Sequence, residues 1–120
     1  MTWYLTLYPP SHRPDPIPAR PVLDYLATLP ELRRAGPAEF DAADGEPWVH
    51  VVVIEARADG GYARATGAPA PERTNLVELV CAYDASMQWY DLLARRIAAH
   101  LDWVAVEAGE ERQLWPPSRG

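Results

Sequence analysis

The sequence predicts a single α+β domain of the ferredoxin-like type: a split β-α-β antiparallel sheet with two helices on one face, plus one or two extra short strands. Three observations carry that expectation. The strongest segments run in the order strand, helix, strand, strand, helix, strand, and right-handed crossovers then place both helices together. The length of 120 residues fits one domain. Apolar residues make up 48% and charged residues 23%, the balance of a chain that folds around one core. Residues 1–115 are read as that domain and 116–120 as a flexible C-terminal tail.

The elements follow from the chain in order. Thr2 to Tyr8 alternates, with Trp3, Leu5 and Leu7 on one face and Tyr4, Thr6 and Tyr8 on the other. Pro9 and Pro10 end it, and Pro14, Pro16 and Pro18 keep the following stretch extended and irregular. Pro21 suits the first turn of a helix whose apolar face is Val22, Tyr25, Leu26 and Leu29, with Asp24 and Ala27 opposite. Glu31 to Ala35 is read as a short turn, Glu39 to Ala43 as a weak strand and Asp44-Gly45 as a turn.

Trp48 to Arg57 is the strongest strand, apolar on both faces, which places it in mid-sheet. Asp59-Gly60-Gly61 reads as a hairpin turn into Tyr62–Thr66, and Asn75 to Tyr83 as a second long strand. Asp84 or Ser86 caps a second helix with a buried stripe of Tyr90, Leu93, Ala94, Ile97 and Leu101. Asp91 and Arg95 fall four apart on its outer side. Trp103 to Ala108 is a last main strand, and Gly109-Glu110 turns it toward Gln113–Trp115.

Charge and composition exclude several function classes. The net charge of −6 argues against unaided nucleic-acid binding, which needs clustered cations. No apolar run reaches the length of a membrane span, and the start Met-Thr-Trp-Tyr-Leu lacks the basic and then apolar regions of a signal peptide, so a cytoplasmic protein is expected. The single cysteine, Cys81, fits a reducing compartment. All eleven basic residues are arginine and alanine appears nineteen times, the composition that a GC-rich bacterial genome produces.

Catalytic patterns are weak. His12, His50 and His100 have no metal-ligand spacing, and no phosphate loop or nucleophile elbow occurs, so no metal or cofactor is expected. His50 could pair with Glu55, Glu78 or Arg57, but it reads better as a packed histidine. Glu78 reads as solvated or paired with an arginine such as Arg57 or Arg64. Cys81 sits before a helix, yet between Val80 and Ala82 it is expected to be buried and inert.

The leading expectation is an acidic protein-binding module, most concretely an immunity- or inhibitor-type protein that neutralises a bacterial toxin or enzyme. Its partner is a protein or a second copy of itself, with no nucleic acid and no membrane. The candidate partner-binding residues are Asp44, Glu46, Glu107, Glu110 and Glu111 in acidic turns, and Trp89, Leu92 and Arg96 on the second helix. Two alternatives stand beside it. One is a homodimeric structural or small-ligand-binding domain using the open sheet face, and the other is a ferredoxin-like enzyme with the same cleft.

Overall fold

The computed structural model describes residues 2–56, 69–110 and 112–117. The expected hairpin at 59–61 and strand at 62–66 lie outside the described residues, as do Arg57, Arg64 and Glu111. The elements are β1 (Thr2–Tyr8), β2 (Ile17–Pro18), α1 (Ala19–Ala27), β3 (Leu32–Gly36), β4 (Glu39–Ala42), β5 (Val49–Ile54), β6 (Arg73–Thr74), β7 (Leu76–Ala82), α2 (Met87–Leu101), β8 (Val104–Glu107) and β9 (Gln113–Trp115).

The architecture is α+β. Seven antiparallel strands form one sheet in the order β3-β4-β5-β7-β1-β8-β9, and β2 pairs with β6 in a separate ribbon. The sheet is larger than the sequence suggests. The segment expected as a turn at Glu31–Ala35 is mostly strand β3, because it pairs with β4, Leu32 opposite Ala42 and Arg33 opposite Asp41. β4 and β9 stand where short strands are expected.

Period-two alternation decides the faces. Trp3, Leu5 and Leu7 align with Cys81, Leu79 and Val77 on one side, and the last three align with Val49, Val51 and Val53 on the other. This apolar face joins Val22 and Leu26 of α1 and Tyr90, Leu93 and Ile97 of α2 in one core. Full burial of a Leu, Ile or Val side chain contributes about 1.5–3 kcal/mol, so this cluster holds the sheet and both helices together. The opposite face carries Tyr4, Thr6, Tyr8, His50, Val52, Glu78, Val80 and Val106, and among the described residues no helix lies over it. Ser86 caps α2, its hydroxyl accepting from the Trp89 N–H. Among the described residues no helix is long and apolar enough to cross a membrane.

One helix residue departs from its expected place. Asp91 is not on the outer side of α2 with Arg95; it is buried to 8% exposure. It lies one helical step from Tyr90, on the flank of the buried stripe. There Arg112, which leads into β9, reaches it with two hydrogen bonds of 2.7 and 3.0 Å.

Candidate functional site

Strand register decides which loops meet. Thr2 lies opposite Ala82, Val49 lies opposite Cys81, and the Ala108 N–H donates to the Tyr4 carbonyl at 3.0 Å. The start of β1, the β4–β5 loop, the β7–α2 loop and the β8–β9 turn therefore emerge at one end of the sheet. They carry Asp44, Glu46, Asp84 and Glu110, all exposed. Among them stand Trp48, Tyr83 and Met87, which are 52%, 63% and 52% exposed. Strands lie about 4.8 Å apart, so β5 to β8 spans roughly 14 Å, and the charges rim one compact surface. The cation of the described loops here, Arg112, is already engaged.

Local backbone chemistry builds the two acidic turns. Gly45 and Gly109 have φ of +84° and +81°, a region that glycine enters at no steric cost. No atom lies within 4 Å of where a Cβ would stand at either position, so conformation alone selects glycine there. Hydrogen bonds from the Glu46 N–H to the Ala43 carbonyl and from the Glu110 N–H to the Glu107 carbonyl close these turns at 3.1 and 3.2 Å.

Between Trp48 and Tyr83 lies a cleft of about 390 Å³, lined also by Thr2, Ala82 and Asp84. Its floor is held from beneath. The fully buried Tyr90 donates its hydroxyl to the Trp48 carbonyl and accepts from the Ala82 N–H at 3.2 Å. The Trp3 indole N–H donates to the Ala82 carbonyl at 3.3 Å. Both backbone groups of Ala82 thus end on aromatic side chains of the core, which fixes the ends of β5 and β7 before any ligand arrives. Burial pushes the Tyr90 hydroxyl pKa up, so it stays a donor.

Arg112 clamps the turn beside this surface. Besides its fork on Asp91, its Nε donates to Glu107 at 2.7 Å. The hydrogen bonds to Asp91 raise its pKa more than burial lowers it, and the bond to Glu107 adds to the rise. Glu107 is consequently occupied inside the fold and stands apart from the exposed rim, whereas Asp44, Glu46 and Glu110 meet on it. The same charges act on Cys81. Burial first, then Asp91 and Glu107, push its thiol up to about 12.

The helix candidates separate. Leu92 is exposed at 53%. Trp89 packs partly on the core, edge-on to Tyr90 with ring centroids 5.2 Å apart. Arg96 is bonded to Glu31. His50 pairs with Asp41, Nδ1 to Oδ1 at 2.7 Å, on the sheet face away from both helices; Asp41 is not among the partners that the sequence offered for it, and Arg57 lies outside the described residues. A carboxylate on Nδ1 orients the ring. Among the described residues no hydroxyl or thiol is hydrogen-bonded to this pair.

Sequence reasoning missed Trp48, Tyr83 and Asp84 as members of the site. Each stands one or two residues beyond a strand end, beside the acidic turns, and that position was the available signal. Comparison with protein-family models, curated proteins and solved structures finds no match for this chain. The functional reading therefore stands on geometry and charge.

Proposed function

We propose that this chain is a protein-binding module that captures a basic partner through the acidic, aromatic end of its sheet. An immunity- or inhibitor-type protein that neutralises a bacterial toxin or enzyme is the concrete form of that reading. The observation that carries it is the convergence of Asp44, Glu46, Asp84 and Glu110 around exposed Trp48 and Tyr83. Tryptophan and tyrosine are the residues on which interface energy concentrates, and a field of one sign speeds encounter with an oppositely charged protein. The unpaired cysteine agrees with a cytoplasmic site of action. We read the scaffold as a ferredoxin-like split β-α-β of β1, α1, β5, β7, α2 and β8, to which β3, β4 and β9 are added. The antiparallel order β5-β7-β1-β8 supports that reading.

The test is capture from the native cell followed by study of the purified pair. A basic partner that binds one to one and protects the amides of 43–48, 83–86 and 108–110 from hydrogen exchange supports the proposal. Protection confined to any other surface overturns it.

A second reading has its own observation. Tyr4 and Tyr8 are exposed on the helix-free face, among the half-buried Val52, Val80, Val104 and Val106. Such a face supports a homodimer packed sheet to sheet. Sedimentation decides it: a salt-insensitive dimer favours this reading and a monomer rejects it.

A further inference from the structure

We propose that the cleft between Trp48 and Tyr83 is a receptor for one arginine side chain of the partner. This rests on the partner-binding reading above and names the chemistry by which that surface recognises its target. Three features of the cleft point to a guanidinium. Its walls include two aromatic residues that the fold leaves 52% and 63% exposed, and aromatic faces attract cations. Asp84 lines the same space and supplies the opposite charge, which a guanidinium fork can meet with two parallel hydrogen bonds. The small residue Ala82 also lines the cleft, and its backbone N–H and carbonyl are already bonded to Tyr90 and Trp3, so neither competes for the planar head.

Size and field agree with that occupant. A volume of about 390 Å³ stands at the small end of ligand sites, enough for a side chain and too little for a large cofactor. Asp44, Glu46 and Glu110 stand on loops at the same end of the sheet without lining the cleft. Their field draws a cation toward the cleft, and the stacking and the Asp84 carboxylate then select its shape. Preorganisation adds to this, because the ends of β5 and β7 are tied together through Tyr90 before binding.

The probe is Nα-acetyl-arginine N-methylamide, titrated against the whole protein and followed by the Trp48 indole N–H resonance. The matched citrulline compound, neutral and nearly isosteric, is the control. A saturable shift with a dissociation constant on the order of 10 mM is expected, the range open to one stacked and singly paired side chain. The citrulline compound is expected to shift the resonance at least about fivefold less, since it lacks the charge. Asp84→Asn is expected to weaken arginine binding about tenfold, as loss of a charge-assisted bond does. No saturable shift, or equal shifts with the two compounds, overturns the proposal.

Failure of the cleft and failure of the docking reading give different results. If Trp48→Leu leaves the affinity for a captured basic partner within about twofold, the cleft assignment is wrong while the acidic surface stands. If Asp44→Asn with Glu46→Gln changes neither affinity nor its salt dependence, the docking reading is wrong whatever the arginine titration shows.

Discussion

Replacing Tyr90 with phenylalanine removes one oxygen and tests how the site is held. The ring stays where it is, edge-on to Trp3 and Trp89 at centroid distances of 5.6 and 5.2 Å, so packing is conserved. What is lost are the bonds to the Trp48 carbonyl and from the Ala82 N–H. Leaving a buried polar group without a partner costs about 1–3 kcal/mol. Both bonds are only partly buried and water can replace some of their strength, so the loss should be about 1–2 kcal/mol. For a domain this long, one kcal/mol moves the melting temperature by about 4 °C, which predicts a decrease of roughly 4–8 °C. The assay is a calorimetric melt of both proteins, with amide exchange at Ala82 followed in parallel. Ala82 exchange should accelerate more than that of Leu79 in the middle of the same strand. A melting temperature within 1 °C of the parent, with unchanged Ala82 exchange, refutes the role given to this hydroxyl.

Three further outcomes follow from the same structure. Val53→Asp places a carboxylate at a fully buried mid-sheet position and should unfold the domain, the charge costing several kcal/mol; a soluble, fully structured variant would contradict the central place of β5. Leu92→Glu should change stability by less than about 1 kcal/mol because the side chain is largely exposed; several degrees lost in a thermal melt would place Leu92 in the core. Cys81, with its thiol pushed up to about 12, should resist alkylation in the folded protein at pH 8, where the thiolate fraction is about 10⁻⁴, and react only on unfolding; stoichiometric labelling of the native protein would contradict its burial.

Much of the fold was legible because alternation and capping are local signals. Trp3, Leu5 and Leu7 declare a face within seven residues, and Ser86 caps α2 three residues before Trp89, whose N–H it accepts. β3 was not legible, because Leu32-Arg33-Arg34-Ala35-Gly36 has no alternation of its own and becomes a strand only by pairing with β4. Register was hidden too. A two-residue turn at Asp44-Gly45 would set Asp41 opposite Trp48, but the loop is longer and Asp41 meets His50 instead. Asp91 found its partner in Arg112, twenty-one residues away on a different element, which no helical spacing could announce. The site shared this limit. Its acidic turns were readable one by one, yet only the pairing of β5, β7, β1 and β8 puts them at the same end as Trp48 and Tyr83.

The most direct test of the central claim is the association rate of the purified partner pair, measured by stopped flow across ionic strength. Parent protein is compared with the Asp44→Asn, Glu46→Gln, Glu110→Gln variant. All three residues are exposed and their substitution leaves the core untouched, so a change in rate reports on the field of this surface. The account predicts a rate that falls steeply with salt for the parent protein. For the variant it predicts a rate about tenfold lower at low salt and nearly flat with ionic strength. Equal rates and equal salt slopes for the two proteins would contradict it.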